Sequence, residues 1–470
     1  MQKIKETVEV VWKNKNIRTW CIFAAIFLFV FMSHCYYLDT VSLVRYEYSF
    51  ADSILHGEFS NLYQRTYDVM QLYNPNHSPA YDYLMCITLG IWGIPLYFIV
   101  KILGITNVGS SFICLLYGKS ILLFAICVST YLVMKICDEL SIDKEKVFWA
   151  GLAFFTSLLT LGCVAIIGQC DVLGMTVALA GVLAYLKGNN KKFLIWFMLA
   201  FPFKQYSFFV FLPLLLLREK RILKIVLKIL CIFAFTFVLN IPIRNCVPAY
   251  EFKKEFADRM FGILTQNTLP LIDGIPITIL LWGIVCLICF LYKMPESKEK
   301  EHRIIVYMMF AAMAAIFIGF SSFCYWYMNM TPYLIILIFY KQNDCKELLF
   351  FETLGIFAIT IVNVLKYYWC YDVLNCENML LAKLFKGSFK GTVTLQYLAT
   401  ETRLSMIQPT LSAIYIICII AVLWLARPTK EVVNSKADNS EIKKCVIYRA
   451  VFNSIVALIP MGLYLAGVLF

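Results

Sequence analysis

Charge is scarce in this sequence. Asp, Glu, Lys and Arg make up 15% of 470 residues, where an ordinary soluble domain carries about 25%. That shortage excludes a large water-soluble globule. Histidine is scarcer still, and His34, His56, His77 and His302 are too dispersed to make a metal cluster by spacing. No Asp-x-Asp pair occurs, so a nucleotide-sugar site built on a metal–diphosphate clamp lacks support. The chain also has no GxSxG, no HExxH and no glycine-rich dinucleotide fingerprint. Gly118-Lys119-Ser120 resembles the end of a phosphate-binding loop, but Ile113 stands where the first glycine is required. Internal repeats, low-complexity tracts and soluble domains are absent from the pattern, and residues 427–444 are the one polar linker.

What the chain does have is apolar sequence, at 61% of residues. Many runs approach the roughly 20 residues a helix needs to cross hydrocarbon. They are continuous rather than alternating, which points to helices and not to a membrane barrel. The expected fold is an all-α polytopic membrane protein, with residues 1–470 forming a single integral membrane domain. The net charge of +12 falls mostly in short clusters between the runs, the pattern of cytoplasmic loops rather than of a nucleic-acid surface. The 18 cysteines are scattered through the apolar runs and behave as small hydrophobes. Cys370 and Cys376 share an outer loop and are within reach of a disulfide by spacing, which spacing alone does not decide.

Lys3, Lys5, Lys13, Lys15 and Arg18 place the N-terminal segment in the cytoplasm, and residues 20–37 read as a retained first span. The loop 38–83 is acid-rich and suits the outer side. Basic clusters at 187–192, 218–224, 293–303, 341–347 and 427–444 read as inside. Outer segments alternate with them at "GQCD", "FPFKQY", 242–275, "SSFCYWYMN" and 366–409. Spans are expected near 225–240, 277–291, 304–320, 328–340, 348–365, 411–426 and 450–470. Residues 84–137 must make an odd number of net crossings, one or three. The runs Phe193–Phe201 and Ser207–Leu217 are each too short to span, so they read as a broken or re-entrant pair whose turn holds Lys204 at membrane depth. The run 380–391 reads as an amphipathic helix on the outer surface.

Polar groups gather on the outer side. They are Asp39 after the first span, "YNPNHSPAYDYL" (73–84), Gln169 and Asp171 in "GQCD", Lys204 and Gln205 at the helix break, and "YWYMNMTPY" (325–333). A carboxylate in lipid costs about 2.5–3.5 kcal/mol, so Asp171 is expected to face water, a partner or a ligand. As the residue before Val172 it also suits a helix cap. Lys204 is either a ligand contact or a snorkelling lysine. Trp326 and Tyr327 read as interface-belt aromatics ahead of sugar platforms.

Taken in order, "DTVSLVRYEYSFADSILHGEFSNLY", "NPNHSPAYDYL", "GQCD" and "FPFKQYSFFVFLPLLLL" resemble the GT-C superfamily of glycosyltransferases that use polyprenyl-phosphate sugars. The likeness covers nearly the whole chain through short motifs, and Ser78-Pro79 stands where the family has Pro-Pro. The resemblance implies a bundle of about 11–13 transmembrane helices with an outer juxtamembrane first loop. In it, 19–240 is the catalytic half with the first outer loop 38–83, and 241–470 supplies the C-terminal helices with the outer loop 366–409. It implies inverting transfer of a hexose, with mannose the first candidate, to an extracytoplasmic glycan, lipid or protein acceptor. By the same resemblance Asp39 is the general base, with Glu47 as the alternative. Lys204 contacts the donor phosphate, and Gln169, Asp171, Gln205, Asn76, His77, Tyr81 and Tyr327 bind substrate. No cofactor is certain, although in some relatives the Asp171 position helps hold a divalent cation. The rival reading is a transporter or flippase of lipid-linked sugars, which should show paired broken helices in related halves. A structural membrane subunit would leave Asp171 and Lys204 unexplained.

Overall fold

The computed structural model describes residues 14–34, 38–73, 79–269, 274–319, 324–341, 344–366, 402–428 and 439–465. Asn76, His77, Cys370, Cys376, the run 380–391 and most of the linker 427–444 lie outside them. The first helices are α1 (Lys15–Ser33), α2 (Leu38–Leu55), α3 (Leu62–Tyr73), α4 (Tyr83–Leu103), α5 (Phe112–Glu139) and α6 (Lys144–Phe155). After a short bent continuation come α7 (Asp171–Leu186), α8 (Asn190–Phe203), α9 (Phe208–Arg218), α10 (Ile222–Leu239) and α11 (Ala249–Thr265). The rest are α12 (Ile277–Leu291), α13 (Lys298–Gly319), α14 (Thr331–Tyr340), α15 (Cys345–Lys366), α16 (Gln408–Leu425) and α17 (Asn439–Leu465). Among the described residues the only sheet is a two-stranded antiparallel pair, β1 (Thr268–Leu269) with β2 (Ile275–Pro276).

Seven of the described helices are long and apolar enough to cross a membrane, or up to eight if the bent pair after Lys144 is one span. The helices at 171–186, 205–218 and 277–291 are apolar but shorter. On α10 Ile222, Leu223, Leu230, Phe237 and Val238 are exposed. A soluble protein would not present such a row to water, and hydrocarbon accepts it without cost. The chain is an all-α polytopic membrane protein.

Polar contacts sort the helix ends into two groups. Lys443 Nζ donates to Asn16 Oδ1 at 2.7 Å, Lys298 pairs with Glu139 at 3.5 Å, and Arg218 Nη2 pairs with Glu301 at 2.7 Å. Lys346 pairs with Glu441, and the Tyr340 hydroxyl donates to the Glu299 carbonyl at 3.1 Å. The segments expected inside therefore share one end of the bundle, here the basic end. At the opposite end Asp82 accepts from Asn240 Nδ2 at 2.8 Å and pairs with Lys253, so the loops 38–83 and 242–275 form one cap.

The first residue of α4 joins that cap, and the segment after the helix packs on α2. The Tyr83 amide donates to Asn240 Oδ1 at 2.9 Å, and Gly109, beyond the helix, lies against the Arg45 guanidinium of α2. Midway, the Tyr117 hydroxyl of α5 donates to the Trp92 carbonyl at 2.7 Å. Residues 84–137 hold two helices long and apolar enough to cross a membrane, α4 and α5.

The rising span after Lys144 is broken. α6 ends at Phe155, Leu158–Ile167 continues at a 43° bend, and Leu161–Ile167 of that continuation is π-helical. A break frees backbone carbonyls that hydrocarbon cannot satisfy. Two side chains of α17 take them. Arg449 Nη1 donates to the Ala153 carbonyl at 2.8 Å, and Asn453 Nδ2 to the Thr156 carbonyl at 3.0 Å. Arg449 is held in turn by Glu352 of α15 through two bonds of 2.6 and 2.5 Å, with both residues buried.

The pair α8 and α9 is a hairpin. Phe201 faces Phe208 at 6.0 Å and Phe193 stacks on Phe211 at 5.2 Å, so both outer ends lie at the basic end. The turn is Lys204, in extended backbone, followed by the 3-10 segment Gln205–Ser207. Small residues on α7 let α8 approach. A Cβ at Gly181 would meet the Phe197 ring at 2.6 Å, and one at Gly174 would sit 2.8 Å from Lys204 Cβ. In lipid, where apolar side chains gain nothing by leaving solvent, such close backbone packing is a main source of association.

Candidate functional site

The site is built on the turn Gly168–Asp171 between the π segment and α7. Insertion of one residue per turn widens the helix and re-aims the chain beyond it, and such segments often mark functional positions. Gly168 closes the segment at φ +78°, in the left-handed region that favours glycine. A Cβ there would also collide with the Thr40 hydroxyl, which donates to the Ile167 carbonyl at 3.2 Å. The N-terminus of α2 is thereby seated on the turn.

Each remaining residue of the turn reaches a different partner. Gln169 Nε2 donates to Asp39 Oδ2. The Cys170 thiol donates to the Tyr81 hydroxyl at 3.0 Å. Asp171 Oδ1 pairs with Lys204 Nζ at 2.7 Å. The structure therefore brings together Asp39, Tyr81, Gln169, Asp171 and Lys204, five residues from four separate parts of the sequence.

Asp171 is 1% exposed and Lys204 28%, so one partner is dry and the other partly exposed. As the first residue of α7, Asp171 also places its charge at the positive end of the helix. Lys204 keeps two further N–H groups beyond the one that meets Asp171. At 1.5 Å per residue, α7 with its 16 residues measures about 24 Å and α8 with its 14 about 21 Å. A hydrocarbon layer is about 30 Å thick. Both helices are shorter than that layer.

The remaining expected residues fall elsewhere. Gln205 is exposed at the hairpin turn. Glu47 is fully buried where α2 packs on α4 and α5. Its carboxylate has no hydrogen-bond partner among the described residues, and its Oε2 would lie 3.2 Å from a Cβ on Gly118. Burial raises its carboxyl well above the ordinary range. Trp326 and Tyr327 correct the interface-belt expectation. They are 4% and 2% exposed, Trp326 packed on Tyr206 at 5.4 Å and Tyr327 between Phe317 and Tyr415 at 5.1 and 5.4 Å. Their segment turns inward through Met328–Met330, so aromatic rings that hydropathy assigns to a rim enter the core.

Sequence reasoning missed Lys119. It is fully buried and donates to the carbonyls of Phe31, His34 and Ala165 at 2.7, 2.9 and 2.6 Å, tying the end of α1 to the π segment. Its place in a failed phosphate-loop match was the available signal. Among the described residues no group of three or more His, Cys, Asp or Glu is arranged to hold a metal ion. Asp39 and Asp171 are engaged by Gln169 and Lys204. Comparison with protein-family models, with curated proteins and with solved structures finds no match.

Proposed function

We propose that this chain is a GT-C-type glycosyltransferase that moves a hexose from a polyprenyl-phosphate donor to an acceptor hydroxyl on the extracytoplasmic side. The observation that carries the reading is the turn Gly168–Asp171, where an acidic residue, its amide partner and a partly exposed lysine meet at the ends of apolar helices. A lysine held among apolar helices suits a phosphate carried on a lipid better than a water-soluble nucleotide sugar. The alternation of helices between the two ends supports a bundle of the eleven-to-thirteen-helix kind, with the shorter apolar helices as crossings.

In this reading Asp39 takes the proton of the acceptor hydroxyl as its oxygen attacks the anomeric carbon. The bond from that carbon to the phosphate oxygen breaks, and the lipid phosphate leaves with the electron pair. Gln169 holds the Asp39 carboxylate in line. Lys204 faces the leaving phosphate, whose charge needs a cation more than a proton. Asp171 fixes Lys204 and offsets its charge before the donor arrives. Asp39→Asn should leave the protein folded while transfer from a polyprenyl-phosphate hexose falls about 10²–10⁴-fold. Near-parental turnover by this variant would remove Asp39 from the role of base.

The transport reading gains one observation, the second helix break at Thr156–Ser157. Both breaks lie between residues 150 and 210, however, and not at matching places in two halves. Sugar-lipid flux in proteoliposomes without chemical transfer would favour transport.

A further inference from the structure

Behind the Asp171–Lys204 pair the helices leave a small cavity, with Gly174, Lys204, Ser207, Met313, Asn329 and Tyr333 in its wall. It has room for about one water-sized group and not for a sugar ring. Its lining is polar for so small a space. Ser207 is 7% exposed and its Oγ has no hydrogen-bond partner among the described residues. Asn329, 4% exposed, donates through Nδ2 to the Trp326 carbonyl at 3.1 Å, which leaves its amide oxygen as an acceptor. Tyr333, 2% exposed, brings a phenol-bearing side chain to the same wall. The second carboxylate oxygen of Asp171, beside the cavity's lysine, is also buried without a partner among the described residues. Buried polar atoms are rarely left so, because each costs about 1–3 kcal/mol.

Three elements supply these groups: the 3-10 turn of the α8–α9 hairpin, the 3-10 turn Met328–Met330 and the first turn of α14. The motif "YWYMNMTPY" thus contributes Asn329 and Tyr333 rather than its exposed-looking aromatics. A hydroxyl group donates once and accepts twice. The Asn329 amide oxygen can take the one proton, and the Ser207 and Tyr333 hydroxyls can donate the two.

We propose that this cavity is a hydroxyl subsite that takes one ring hydroxyl of a sugar whose phosphate lies at Lys204. The proposal rests on the donor reading above and adds what selects the sugar. A pocket built from buried hydrogen-bonding groups rejects an analogue that lacks the matching hydroxyl far more strongly than an apolar pocket rejects a missing methylene.

The test uses the full chain in lipid nanodiscs. Its probes are bare polyprenyl phosphate, the polyprenyl-phosphate esters of mannose, glucose and galactose, and monodeoxy forms of whichever ester binds best. Ser207→Ala and Tyr333→Phe each remove one oxygen and little else. Each should weaken the best sugar ester about tenfold and leave bare polyprenyl phosphate within about twofold. One deoxy ester should lose about 100-fold with the parent and bind parent and variants alike. Equal losses for ester and bare phosphate, or no loss for either, would mean that the cavity holds at most a water; the subsite then falls and the donor reading stands. If the parent binds neither the bare phosphate nor any ester, the donor reading fails and takes the subsite with it.

Discussion

At the scale of single residues, the ion pair at the site is lopsided, and this sets what its variants should do. Asp171 is 1% exposed, so Lys204→Gln leaves a dry carboxylate without its counter-charge. Breaking a buried pair in this way costs about 3–5 kcal/mol. Asp171→Asn instead leaves Lys204, at 28% exposure, able to turn toward water, and should cost much less. Lys204→Arg keeps the charge and should stay near the parent in stability. Thermal unfolding in nanodiscs, read with donor affinity, checks the order; a larger loss for Asp171→Asn than for Lys204→Gln would contradict it. The residues themselves were legible in the sequence, since polar groups are conspicuous in apolar runs. Their pairing was not. Asp39 meets Gln169 across 130 positions, a distance over which hydropathy carries no information.

At the scale of elements, the π segment and its closing glycine hold the turn in place. Gly168→Ala adds a Cβ that meets Thr40 and also strains a backbone at φ +78°. Gly104→Ala is the matched control, at φ +61° with nothing within 4 Å of the new Cβ. The control should lose about 1 kcal/mol and little activity, while Gly168→Ala should lose more stability and most of its turnover. Equal effects would mean that only the backbone angle matters. The hairpin around Lys204 was readable because two runs too short to span flank a charge. The break after Phe155 was not, because Thr156 and Ser157 sit in sequence that continues apolar. What makes that break tolerable is Arg449 and Asn453, nearly 300 residues away.

At the scale of the molecule, the two ends of the bundle give a test of sidedness. Single cysteine labels at positions 190 and 297, on the basic end, should react only after permeabilisation, and a label at position 60, in the opposite cap, should react from outside. Labelling of 60 and 190 from the same side would overturn both the topology and the proposed site. The basic clusters made much of this arrangement legible before any contact was known, although the return at 139–144, rich in acid, carries no such cluster. The cap itself was less so, because its contacts, such as Asp82 with Asn240 and Lys253, join loops far apart in the chain.

The α8–α9 hairpin, about 21 Å tall by its first arm, fixes the distance of Lys204 from the basic end whatever surrounds the protein. The surrounding acyl chains are not fixed. Lengthening them moves the far headgroups away from Lys204 while the basic end stays anchored, so under the transferase proposal the acceptor would have to reach deeper and the donor phosphate to sink farther from its preferred plane. Turnover in vesicles of graded chain length should therefore peak in thin bilayers and decline as the chains lengthen, with thermal stability changing less. A flat profile would place the reacting groups at the surface. The short hairpin thus makes the protein a gauge of the membrane it sits in.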